Sequence, residues 1–225
     1  MNDTAPMNPL PPVVWALALP MIAMEAVVTL GASGLVGGPE AVGWRLQALE
    51  RFVFAPDVMR AMLEQGEYPL NHMIRLVTYP FVHASMTHAL FVIVILLALG
   101  KMLGEAFRWW AVLVIFFGAT LAGAAVYTAL PMVHTPLYGG YPPVYGLIGG
   151  FTWLLWTRAI VTGDSRLRAF GMIAFLIGTQ LLFTVFGGIG WEIVADLAGF
   201  AAGFLLCFMV SPGGIARLKS RIRQR

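Results

Sequence analysis

Long apolar runs alternate with short polar breaks along most of this chain. Val13 to Leu35 is interrupted only by Glu25. Tyr79 to Gly100 carries His83 and His88, and Trp110 to Leu130 carries no charge. Val144 to Trp156 is shorter. Ala169 to Phe186 and Ile189 to Val210 complete the set, the last with Glu192 and Asp196 inside it. A helix needs ~20 apolar residues to cross the hydrocarbon core. Backbone polar groups in lipid must be satisfied within the segment, so such runs are helices. The pattern predicts an all-α polytopic membrane protein with six transmembrane helices. The short fourth run predicts a helix that begins inside the membrane.

Between the first two spans, residues 36–78 form a long loop with helical periodicity of its own. Apolar positions recur at helical spacing over 41–54 and 56–65, and Pro56 suits a first helical turn. Two short amphipathic helices are expected at the interface, with Trp44, Phe52 and Phe54 dipping into the headgroups.

Composition agrees with the pattern. Of 225 residues, 59% are hydrophobic and 11% charged, against about 25% charged in a soluble domain. Cys207 is the single cysteine, so no internal disulfide framework exists. The first run lacks a basic leader and is too long for a cleaved signal segment.

The cations fix an expected orientation. Ten lysines and arginines fall on the side of the termini and four, Arg45, Arg51, Arg60 and Arg75, on the other. The positive-inside rule places the first set in the cytoplasm. Residues 1–12 then form a cytoplasmic tail, 13–212 the membrane domain and 213–225 a basic tail. That basic tail reads as an anchor against anionic headgroups, not as a nucleic-acid site.

Intramembrane ionisable groups are costly and mark candidate sites. Here they are Glu25, His83, His88, Glu192 and Asp196. Glu192 lies near a helix end, within reach of water. Asp196 lies one turn deeper, on the same face, and needs a partner. On one continuous helix His83 and His88 would point about 140° apart, so they are not expected to share a ligand. No spacing supports a metal site, and no cofactor is expected. Small residues recur at four-residue spacing in Gly146 with Gly150, Gly199 with Gly203, and Gly118 with Ala122. Such pairs let helix backbones approach closely, and they suggest that the fourth and sixth helices touch.

Three segments carry a family resemblance. Arg75 to Phe91 contains Phe81-Val-His83 followed by His88, and Gly100 and Glu105 continue the pattern. It resembles the second-helix signature of rhomboid intramembrane serine proteases. Gly139-Gly140-Tyr141-Pro142-Pro143-Val144-Tyr145-Gly146 resembles their fourth-helix signature, Gly-x-Ser-Gly-x-x-Tyr/Phe-Gly. Ala195-Asp196-Leu-Ala-Gly199 through Gly203 resembles the sixth, Ala-His-x-x-Gly-x-x-x-Gly. The resemblance spans roughly residues 10–212 and implies a six-helix rhomboid-like bundle.

It also implies which chemistry is altered. Tyr141 stands at the nucleophile position and Asp196 at that of the histidine base. Val92 replaces the asparagine of the oxyanion pocket, Pro142 removes a backbone N–H, and His88 remains. Acyl transfer needs a nucleophile, a base within reach and an oxyanion site. The expectation is therefore an inactive rhomboid-like protein of the bacterial inner membrane. It would bind transmembrane helices of clients or partner subunits, surrounded by the lipid bilayer. A peptidase with a divergent site and a structural subunit of a larger membrane complex are the alternatives. A proton-coupled transporter would show internal repeats, and none is seen. At the former dyad, a Tyr141–Asp196 hydrogen bond is expected.

Overall fold

A computed structural model describes residues 9–178 and 190–211. Among them, five helices are long and apolar enough to span a membrane: α1 (Pro12–Ala32), α6 (Met86–Ala106), α7 (Trp109–Ala129), α8 (Tyr141–Thr162) and α10 (Glu192–Val210). The loop between α1 and α6 folds into α2 (Trp44–Phe52), α3 (Pro56–Gln65), α4 (Leu70–Met73) and α5 (Arg75–Thr78). The fifth predicted span, Ala169 to Phe186, lies partly outside the described residues. Its described part is a 3-10 turn at Arg166–Phe170 and a helix, α9, over 171–178. The basic 213–225 tail lies outside them too.

Two expected boundaries move, for local reasons. The second span does not begin at Tyr79. Pro80 sits in a 3-10 turn, Tyr79–Phe81, and Val82 is extended. Ser85 is the N-cap of α6 and accepts a hydrogen bond from the His88 backbone N–H at 3.2 Å. The fourth helix is not short. It begins at Tyr141 and runs for 22 residues. Pro142 and Pro143 stand in its first turn, where the missing N–H groups have no helical partner anyway.

The centre of the bundle is the α8–α10 contact. A Cβ on Gly203 would collide with the Gly146 carbonyl oxygen, and one on Gly199 with that of Pro142. Gly149 faces the Phe200 carbonyl oxygen just as closely. Gly150 instead points at Leu103 and Cys207. On α8, then, Gly149 is the glycine turned to α10, while a Cβ on Gly146 would first meet Ala119 of α7. On α7, Gly118 meets Leu206 of α10.

The α1–α6 side carries the charge. Arg45, on α2, reaches down to Glu25 on α1, with Nη2 to Oε1 at 2.6 Å and Nη1 to Oε2 at 2.9 Å. Thr29 donates to the same carboxylate at 2.9 Å, and Arg45 also donates to the His83 carbonyl at 3.0 Å. This fork satisfies a carboxylate that lipid could not. Its neighbour Trp44 does not reach for headgroups. Its ring packs on Gly31 and Gly37, where the chain leaves α1.

Phe54 also turns inward. It is buried, and it exchanges two backbone hydrogen bonds with Leu137, at 2.9 and 2.7 Å. Arg60 of α3 donates to the carbonyls of Thr128, Leu130 and Val133 at the end of α7. Asp57 receives Arg60 at 2.6 Å and His134 at 3.0 Å, and both hold its carboxyl below the usual carboxylate range. The α1–α6 loop and the 130–140 loop are therefore one tied unit.

Two outcomes follow for stability in detergent. Glu25→Gln or Arg45→Met alone should each cost roughly 2 kcal/mol, less than a fully buried pair because both side chains retain some exposure. The double change should recover part of that loss, and additive losses would show that the pair is not coupled. Gly203→Ala should cost about 1–3 kcal/mol in thermal unfolding, since backbone must move aside. A silent Gly203→Ala would mean that α8 and α10 are further apart.

Candidate functional site

The site is assembled where α8 starts. Gly139 has φ +83°, a conformation that favours glycine, and the His88 ring occupies the place its Cβ would take. The Gly139 N–H donates to the Tyr79 carbonyl at 2.9 Å. Gly140 lies against Val92, whose Cγ1 is 2.6 Å from where a Cβ would stand. His88 and Val92, one turn apart on α6, thus hold the two glycines that precede Tyr141.

Aromatic rings then close the site. Tyr141 stacks on His88, with centroids 4.8 Å apart and planes at 15°. Tyr138 approaches His88 at 6.1 Å. His83 meets His88 edge-on, at 5.1 Å and 86°. The expectation that the two histidines point apart is overturned. It assumed one continuous helix, and the chain before Ser85 is not helical, so His83 swings back over His88. His83 Nε2 and His88 Nε2 are both buried with no hydrogen-bond partner among the described residues. Burial pushes the His83 imidazole down to about 4, and the positive charge of a protonated His88 would lower it further. His83 is therefore neutral at pH 7.

Asp196 is buried on α10, beside the Tyr79 side of the cluster. Burial and the Asp196 charge push the Tyr79 phenol well above its ordinary range. That phenol donates to the Thr120 carbonyl at 2.9 Å. The expected Tyr141–Asp196 hydrogen bond is not formed. Tyr141 spends its ring on His88, and among the described residues its hydroxyl has no hydrogen bond to the carboxylate. Glu192 stands in the first turn of α10, half-buried, where a negative charge suits the helix N-terminus. Glu25 lies apart, in its fork with Arg45.

The arrangement has defined chemical means. His88 is flanked by rings and not by a hydroxyl nucleophile. Ser85 Oγ, the nearest serine along the chain, is occupied as the α6 cap. Pro142 and Pro143 present no backbone N–H, and Val92 presents no donor. Among the described residues no three of His, Cys, Asp and Glu are grouped to hold a metal ion. Sequence reading missed Tyr79 and Tyr138 as members of the site, and named Gly139 only within the fourth-helix motif. A glycine pair beside a Pro-Pro start was the signal for Gly139. Nothing local marks Tyr79, which reaches the site through the fold.

The His83 shift has a measurable consequence. Its folded pKa lies below the unfolded value of ~6.5, so the unfolded chain takes up the extra proton. Stability from this group is complete above about pH 6.5 and falls as the pH drops towards 4, by up to about 3 kcal/mol. His83→Phe should flatten that part of an acid-unfolding profile. Superimposable wild-type and variant profiles between pH 6.5 and 4 would contradict the assignment.

Comparison with curated proteins returned no match. A family model described as the rhomboid domain matches residues 70–213, which takes in α4 through α10 and every residue of the cluster above. With that match over well more than half its length, this membrane-embedded chain belongs to the rhomboid family.

Proposed function

We propose that this rhomboid binds transmembrane helices of other membrane proteins without cleaving them. We place it in a bacterial inner membrane with both termini in the cytoplasm. One observation carries the reading: the Tyr141 ring lies flat on His88, and motif order aligns Tyr141 with the rhomboid nucleophile. Three further residues support it. Asp196 takes the place of the base, Val92 that of an oxyanion donor, and Pro142 removes a backbone N–H. A carboxylate and a phenol at these positions form no acyl-transfer pair, since neither the serine hydroxyl nor the imidazole that activates it is present. What the fold retains is a membrane-embedded cluster of rings beside an apolar bundle, suited to packing and not to turnover. The step from fold to client binding is analogy within the family.

The purified protein, reconstituted in lipid, should leave standard rhomboid substrates intact and take no label from a fluorophosphonate probe. Cleavage abolished by a change at Tyr141 or Asp196 would overturn the proposal. Tyr141→Ser with Asp196→His should remain at least about 10²-fold below an active rhomboid, because the lost oxyanion donors cost that much or more. Capture in gentle detergent should recover full-length membrane proteins. Recovery of trimmed products in their place would point to the divergent peptidase.

A further inference from the structure

Residues 45–60 touch both sides of the His83–His88–Tyr141 cluster, and each attachment follows from a break in helix. On the first side the chain breaks before α6. Val82 is extended and α6 starts only at Met86, so the His83 carbonyl has no helical donor. Arg45 Nη1 donates to it at 3.0 Å. The same guanidinium is fixed by both carboxylate oxygens of Glu25 and by Thr29 Oγ1 at 3.2 Å. The His83 ring that follows from this anchor lies edge-on to His88, and Tyr141 lies flat on His88.

On the second side the break lies between α2 and α3. Val53 and Ala55 are extended, which frees Phe54 to exchange both backbone hydrogen bonds with Leu137. The Phe54 ring also meets that of Tyr79 at 6.2 Å, and the Tyr79 carbonyl accepts the Gly139 N–H. Within α3, Arg60 grips the carbonyls of Thr128, Leu130 and Val133. Leu137 directly precedes Tyr138, and Tyr141 follows at the start of α8. This end therefore places the two rings that approach His88 from the 130–140 loop and α8.

We propose that residues 45–60 are a strap that keeps the His83–His88–Tyr141 stack closed, so that the outer loop controls access to it. Arg45 on α2 holds one end and Arg60 on α3 the other, with the Phe54–Leu137 bridge between them. Freeing either end loosens rings that shield a histidine: His83 at the first, Tyr138 and Tyr141 at the second. The strap is a property of the unliganded chain and does not depend on client binding.

Acylation of the histidines by diethyl pyrocarbonate tests it, with the full chain in lipid nanodiscs and each residue followed by mass spectrometry. Nε2 of His83 and of His88 is fully shielded, whereas the His134 side chain is 70% exposed. In the wild type His134 should react quickly, and His83 and His88 only through transient opening. Arg45→Met should raise the rates at both His83 and His88 about tenfold, the shift in an opening equilibrium expected when a hydrogen bond to a charged group is lost. Arg60→Met should raise the His88 rate by a similar factor. Arg45→Lys keeps the charge but not the two-pronged grip, and should fall between wild type and Arg45→Met. It carries the test if Arg45→Met folds poorly. Phe208→Ala removes ring contacts with Trp153 and Trp156 at the far end of α10, and should leave His83 and His88 protected. Acceleration in Phe208→Ala as large as in Arg45→Met would overturn the proposal, because protection would then follow overall stability. Unchanged rates in both arginine variants would overturn it as well. So would acceleration at His83 alone in Arg45→Met, which would mean that Arg45 steadies one residue and not the stack.

Discussion

Everything at the centre of this protein depends on two helix backbones touching. In lipid the hydrophobic effect gives no preference for one helix neighbour over another, so close packing must decide. At the α8–α10 contact, the absence of side chains at Gly149, Gly199 and Gly203 brings carbonyl groups of one helix, those of Pro142, Gly146 and Phe200, against the Cα atoms of the other. That approach sets where Tyr141 and Asp196 lie relative to one another. It also leaves no room for relative sliding, because a shift of one residue would press a Cβ into backbone.

Around this rigid contact the polar groups are handled in two ways. Glu25 is neutralised by a partner brought from another segment, at short and nearly bidentate geometry. The histidines are handled by remaining neutral and by packing as rings. Tyr141 extends this second solution. The Tyr141 ring lies flat on the His88 imidazole. An aromatic contact thereby joins the second and fourth helices.

Five of the expected spans were legible in the sequence because membrane insertion depends on bulk composition over many residues, which a pattern of apolar runs records directly. The boundaries were less so. Ser85 and the Pro142-Pro143 pair act through capping and missing donors, effects of one or two residues that an apolar window averages away. Positions at the site were partly legible: His88, Tyr141 and Asp196 stand out by motif order. Their contacts were not. The His83–His88 pairing follows from a break in helix that reverses the angular argument, and the Arg45–Glu25 fork joins residues 20 apart in sequence. The Gly146–Gly150 pattern pointed at the right helix but missed the Gly149 contact, because Gly146 turns to Ala119 and Gly150 to Leu103, leaving Gly149 to face α10.

The Glu25–Arg45 fork also bears on how the protein is made. Glu25 lies seven residues before the end of α1, about 10 Å along the helix axis. Its countercharge arrives with α2, after α1 has been synthesised. During insertion, α1 must therefore enter the membrane with its carboxyl protonated, or remain near the aqueous boundary until Arg45 emerges. The first helix thus gains the countercharge for its one carboxylate only from a residue that the ribosome has yet to deliver.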